Sequence, residues 1–153
     1  MSDLKIIYKH ISEIKPYANN PRQNDSAVDA VAASIKEFGF KVPVIIDAGG
    51  EIIAGHTRIK AAEQLGLTKI PCIIADDLTE AQVKAFRIAD NRTAELSTWD
   101  MDLLAIELQG LGEMNFDLSL TGFGDMEIDD IIGNDPGETI EDEIPEPPDE
   151  PIT

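Results

Sequence analysis

All twelve lysines and arginines of this 153-residue chain lie within its first 92 residues. Those residues also hold twelve of the thirty acids, so they are neutral as a set, while residues 93–153 hold the other eighteen acids and no base. This segregation restricts where a core can form. A neutral segment can collapse around its apolar residues, whereas a segment of one charge sign repels itself and favours solvated helices or extended chain. The last stretch, NDPGETIEDEIPEPPDEPIT, carries five of the nine prolines together with its acids. Residues 135–153 are therefore expected to form a disordered, acidic, proline-rich linker or tail.

The neutral segment reads as alternating strands and helices. LKIIYKHI suggests a strand, and SEIKPYANNPRQND, with two prolines and three asparagines, suggests a loop. Ser26, with Asp29 three residues on, marks a helix start, and Val28, Val31, Ile35 and Phe38 share one helical face up to Gly39. KVPVIID, AGG and EIIA read as a β-hairpin. HTRIKAAEQLG reads as a helix that turns Ile59, Ala62 and Leu65 inward, and KIPCIIAD as a further apolar strand. Thr79 and Gln82 make a capping box for a third helix, and STWDMDLLAIELQGL is amphipathic through Leu104, Leu108 and Leu111. Trp99 is expected to anchor that helix to the core. The expectation is an α+β (α/β) domain over 1–111, a small mixed sheet with docked helices. An acidic helical extension over 112–134, using Ile128, Ile131 and Ile132, precedes the tail.

Cys72, the only cysteine, lies in the apolar run IPCII and reads as an inert buried thiol. No run of about 18 apolar residues is present, so no membrane span is expected. The N-terminus lacks the layout of a signal peptide. The expectation is a cytoplasmic chain that binds no membrane.

GEIIAGHTRIKAAEQLG (50–66) changes from strand to helix at one glycine. The first N–H groups of a helix have no intrahelical partner, and the helix dipole favours an anion there by about 0.3–1 kcal/mol. Gly55 admits a close approach, Thr57 adds a hydroxyl, and Arg58 adds a fork suited to phosphate oxygens. A phosphate suits such a turn. A plainer reading stands beside it: Gly55 as a simple turn, His56 or Thr57 as the helix cap, and Arg58 paired with a surface acid such as Glu51. Two other polar clusters carry arginines. NNPRQND holds Arg22, and IADNRTAEL holds Asp90, Asn91 and Arg92 where the third helix is expected to break. Each also reads as an ordinary turn or helix end.

Together these segments resemble the ParB N-terminal-like domain, the fold shared by chromosome-partitioning ParB proteins and sulfiredoxin. The resemblance runs from about Ile6 to Glu95. NPRQND resembles the first box of that family, EIIAGHTRIKAAEQLGLTKIPCII the second, and ADNRTAEL occupies the place of the third. It implies a ParB/sulfiredoxin-like fold and a nucleoside triphosphate, CTP or ATP, with Mg²⁺ arriving on the nucleotide. Gly55, His56, Thr57 and Arg58 would then hold phosphates. Asn91 and Arg92 would close on the nucleotide or its metal, and Arg22 would approach from the first loop. Thr57 stands where ParB proteins have the first of two arginines, and the third box is shortened. The position of Cys72 argues against sulfiredoxin chemistry. No helix-turn-helix domain is expected to follow, and no resident metal site is expected. Glu51 is the nearest acid for a catalytic role.

The pattern is most similar to ParB-like domains of phage and mobile elements that precede a DNA methyltransferase domain. The tail resembles the linker before that half, so the chain would be a fragment or a stand-alone relative. It has no Asp/Asn-Pro-Pro-Tyr/Trp motif and no glycine-rich cofactor loop.

Three functions follow as expectations. The first is nucleotide binding in DNA processing or modification, with conformational switching, slow NTP hydrolysis or kinase-like phosphoryl transfer. The second is a non-catalytic DNA- or protein-binding adaptor, or a ParB-like nuclease. DNA would meet a local patch of Arg22, Lys41, Arg58, Lys60 and Arg92, although the net charge of −18 opposes strong binding. The third has the acidic C-terminal third recruit a basic partner or mimic DNA. Expected partners are a nucleotide, DNA, a DNA methyltransferase in cis or trans, and a second copy in a homodimer.

Overall fold

The computed structural model describes residues 3–18, 20 and 27–133. Arg22, Ser26 and the tail 135–153 lie outside these residues. The chain divides into two compact units, Met1–Ser97 and Thr98–Thr153.

The first unit is built on a mixed sheet of β1 (Ile7–His10), β2 (Val44–Ile46), β3 (Ile52–Ala54) and β4 (Lys69–Ile74). Its spatial order is β1-β4-β2-β3. β1 and β4 are antiparallel, β2 and β4 are parallel, and β2 and β3 form the antiparallel hairpin that the glycine turn implies. Gly50 closes that hairpin at φ +91, and a Cβ there would lie 2.6 Å from the Glu13 carbonyl oxygen. After a short 3-10 turn at Ile11–Glu13, the chain runs beside β3. The Lys15 N–H donates to the Gly50 carbonyl at 2.8 Å, and the Ile52 N–H donates to the Lys15 carbonyl at 2.9 Å. This pairing brings Tyr17 to the end of β3.

Three helices flank the sheet: α1 (Val28–Phe38), α2 (His56–Gln64) and α3 (Glu80–Leu96). The core joins Ile14, Val44, Ile46, Ile52, Ile59, Ala62, Ile70 and Cys72. Each buried aliphatic side chain contributes roughly 1.5–3 kcal/mol relative to exposure. Cys72 is a free, buried thiol whose pKa is pushed up by burial, as an inert core residue requires. α1 buries Ala32 rather than Phe38, which is 45% exposed; Phe40 packs on the core instead. The reason is Gly39, whose φ of +86 turns the chain back toward the sheet. The capping box of α3 forms as expected, with Gln82 N–H donating to Thr79 Oγ1 and Thr79 N–H to Gln82 Oε1.

α3 does not break at Asp90–Arg92; it continues to Leu96. The Asn91 side chain donates to the Arg87 carbonyl and the Thr93 hydroxyl to the Ala89 carbonyl, so both polar groups are satisfied inside the helix.

The second unit contains α4 (Met101–Glu113), a 3-10 turn at Leu118–Thr121, and α5 (Asp125–Gly133). Ala105, Leu108 and Ile131 form its core, with Leu104, Leu118, Phe123 and Ile132 around them. Asp100 caps α4 by accepting from the Leu103 N–H. Trp99, expected in the core, is 64% exposed; its ring meets Phe123 at a centroid distance of 5.6 Å. No helix among the described residues is long and apolar enough to cross a membrane.

Candidate nucleotide site

The turn after β3 opens a cavity of about 420 Å³. Gly55 is the N-cap of α2, at φ +115 and with no side-chain cap hydrogen bond. A Cβ at this position would lie 2.6 Å from Val44 Cγ1 and 2.9 Å from Arg58 Nη1, so only glycine fits. The first helical hydrogen bond runs from the Ile59 N–H to the Gly55 carbonyl. The N–H groups of His56, Thr57 and Arg58 are thus the ones that a helix start leaves without an intrahelical partner.

Gly55, His56, Thr57, Arg58 and Asn91 all line this cavity, with Asp90 as its carboxylate and Val31, Ile53 and Ala94 among its apolar walls. Arg58 donates through Nη1 to the Pro43 carbonyl at 3.0 Å, not to Glu51. Burial lowers its pKa and the Asp90 carboxylate opposes that shift. The bond to Pro43 holds the guanidinium at the cavity wall, and its other nitrogens have no hydrogen-bond acceptor among the described residues.

His56 has a different task. Its Nε2 accepts the Tyr17 N–H at 3.1 Å, so that nitrogen carries no proton. Burial lowers the pKa of His56 below its ordinary value of 6.5, and the charges of Arg87 and Lys60 add to the effect. A neutral imidazole here ties the loop before α1 to the start of α2.

Arg92 lies outside the cavity, exposed on α3 and paired with Glu95 at 3.1 Å. Continuing the helix turns it about 100° away from Asn91. Glu51 lies in an adjoining cavity of about 600 Å³, paired with Arg87 at 3.2 Å.

Arg87 is the residue that sequence reasoning missed. It is 5% exposed and lines both cavities. Its Nε donates to the Ile52 carbonyl at 3.2 Å, and its Nη2 to the same carbonyl at 3.1 Å and to Glu51. Its Cζ lies 3.5 Å from the centroid of the Tyr17 ring. The available signal was the spacing of Val83, Arg87, Asn91 and Ala94, which share the inward stripe of a helix that does not break.

The profile of the ParB N-terminal domain matches residues 3–92. The chain belongs to the ParB N-terminal domain family. A second profile, the ParB-methyltransferase HTH domain, matches residues 102–153. This corrects the expectation that no helix-turn-helix region follows. The absence of bases had hidden it, because such a domain is usually recognised by its cationic face.

Among relatives of this ParB domain is the ParB-like nuclease domain-containing protein YnaK of Escherichia coli. It is 46% identical over 80 residues, 52% of this chain and 92% of that protein. The probable chromosome-partitioning protein ParB of Vibrio cholerae is 30% identical over 129 residues, 80% of this chain and 41% of that protein. The chain thus spans less than half the length of that relative. In fold, it is similar to C-terminally truncated ParB from Caulobacter crescentus complexed with CTP-gamma-S. The TM-score is 0.62 at 21% identity, over 84% of this chain and 71% of that one.

Proposed function

We propose that this ParB domain binds the phosphates of a nucleoside triphosphate, CTP or ATP, at the N-terminus of α2. One observation carries the reading: the N–H groups of His56–Arg58, which have no intrahelical partner, the Arg58 guanidinium and the Asn91 side chain line one cavity, behind a glycine that no larger residue can replace. The donor set suits an anion. The cavity's carboxylate, Asp90, is of the kind that takes Mg²⁺ together with substrate phosphates, so the donor set also fits a metal arriving on the nucleotide. The CTP-gamma-S bound by the Caulobacter relative supports the choice of ligand class.

The binding would serve DNA processing or modification as a conformational signal, beside a DNA methyltransferase in cis or trans and between two copies of the chain. The match of residues 102–153 to a ParB-methyltransferase profile favours that setting. Arg58 anchors the phosphates, the turn amides orient them, and Asn91 adds a side-chain amide. Arg22 and Arg92 remain proposed only as residues that approach on nucleotide binding. Isothermal titration with CTP, ATP and GTP in Mg²⁺ tests the reading on the wild type and on Arg58→Ala. Saturable binding of one nucleotide, lost in the variant, is expected. No binding to a folded wild type rejects it.

The second reading is a DNA- or protein-binding adaptor without nucleotide. The HTH-domain match favours it, but residues 102–153 contain no lysine or arginine. DNA affinity depends chiefly on cations at phosphates, so this segment cannot supply it. A nuclease reading would need a metal centre or equivalent acid–base machinery. Among the described residues no group of three or more His, Cys, Asp or Glu is placed to hold a metal ion.

A further inference from the structure

Arg87 has one nitrogen unaccounted for. Its Nε and Nη2 donate to Ile52 and Glu51, and its Cζ stands over the Tyr17 ring. Nη1 carries two N–H donors and has no acceptor among the described residues, although the side chain is 6% exposed. Arginine cannot shed its charge, and a buried donor left without an acceptor is costly. Such an orphan in an otherwise fixed guanidinium suggests that its acceptor is a ligand.

The two cavities that Arg87 lines decide which ligand. The adjoining cavity sets four carboxylates, Asp47, Glu51, Asp76 and Glu80, against one lysine, Lys84, so its net field repels an anion. The turn cavity has one carboxylate, Asp90, against Arg58 and the start of α2. An anionic oxygen belongs there. The field of Arg87 already reaches the turn, because its charge helps lower the pKa of His56. Arg58, by contrast, has Nη1 committed to Pro43.

We propose that Arg87, delivered from α3, is a second phosphate ligand of the turn cavity, with Nη1 donating to an anionic oxygen of the bound triphosphate. This rests on the nucleotide reading above. Glu51, Ile52 and Tyr17 then act as positioning groups, which hold the guanidinium in register before the ligand arrives. Ligand binding would join α3 to the turn directly, so that the helix reports on occupancy.

The test uses the full chain labelled uniformly with ¹⁵N and titrated with CTP, ATP and tripolyphosphate in Mg²⁺. The expected result is that the Arg87 guanidinium resonances shift and saturate together with the Thr57 and Arg58 amides. Saturating shifts at Thr57 and Arg58 with Arg87 unmoved overturn this proposal and leave the nucleotide reading standing. No shift from any of the three ligands overturns both. A variant gives an independent arm. Arg87→Gln is expected to weaken CTP or ATP by about 10- to 100-fold, the usual weight of a charge-assisted hydrogen bond, while the monophosphate is weakened less. Equal weakening of triphosphate and monophosphate would mark Arg87 as a structural strut and overturn the proposal. Thr57→Arg in that background places a guanidinium on the same cavity and is expected to restore triphosphate affinity. If Arg87→Gln does not fold, the wild-type titration decides.

Discussion

The Arg87 guanidinium stands over the Tyr17 ring, with 3.5 Å between Cζ and the ring centroid. The same tyrosine donates its backbone N–H to His56. One residue thus joins α3 to the start of α2. Stacking of this kind contributes about 0.5–2 kcal/mol, the larger values applying where the pair is desolvated. Tyr17→Phe should keep it and leave the urea midpoint unchanged. Tyr17→Leu should lose it, and an equal midpoint for the two variants would show that the stacking contributes nothing.

Gly55→Ala meets two obstacles at once. The new methyl lies 2.6 Å from Val44 Cγ1, and the backbone is held at φ +115. Overpacking of this type costs about 1–3 kcal/mol, and the backbone strain adds to it. Thermal unfolding should show a clear loss of stability. If the variant folds, phosphate binding should fall as well, because relieving the clash displaces Arg58.

The pKa of His56 is lowered in the folded state, first by burial and then by Arg87 and Lys60. Below the unfolded value of 6.5 the unfolded chain takes up a proton that the folded chain resists. Stability from this group is therefore complete above pH 6.5 and is lost as pH falls through the lower folded value. His56→Gln keeps an acceptor for Tyr17 and should flatten that part of the profile. Urea midpoints measured from pH 7 downward should separate variant from wild type below 6.5; parallel curves would contradict the assignment.

Glu51 is half-exposed, with 42% of its side chain accessible, and its pairing with Arg87 is screened by water. Glu51→Gln should cost at most about 1 kcal/mol. It also removes a negative charge beside the buried cation, so triphosphate affinity should rise severalfold. A large fall in affinity with stability unchanged would instead point to a direct role for the carboxylate in the chemistry.

Residues 98–153 contain acids and no base. Removing them should leave the low-salt affinity for duplex DNA unchanged or tighter, because every cation able to meet a phosphate lies upstream. Fluorescence anisotropy against salt concentration measures this. Weakened DNA binding on removal would mean that the second unit acts on DNA through something other than charge.

Much of the scaffold was legible in local sequence. The hairpin follows from its glycine turn between apolar runs, the capping box of α3 from Thr79 and Gln82, and the strand-to-helix turn from Gly55 at a change of periodicity. These are short-range effects of backbone sterics, capping and alternation, and they depend on neighbours a few residues away. The acidic segregation was likewise plain, although it concealed the helix-turn-helix match by removing the charge that signals one.

Tertiary structure decided which polar groups share a site. Asn91 and Arg92 are adjacent in sequence, yet the unbroken helix puts one at the cavity and the other in solvent. Arg58 and Glu51 are near in sequence and do not pair, because β3 directs Glu51 toward Arg87, 36 residues away. Sequence alone determined the turn that an anion can approach. Only the packing of α3 across β3 determined that a buried arginine would stand behind it, since long-range side-chain pairing depends on where separate elements meet and leaves no local periodic trace.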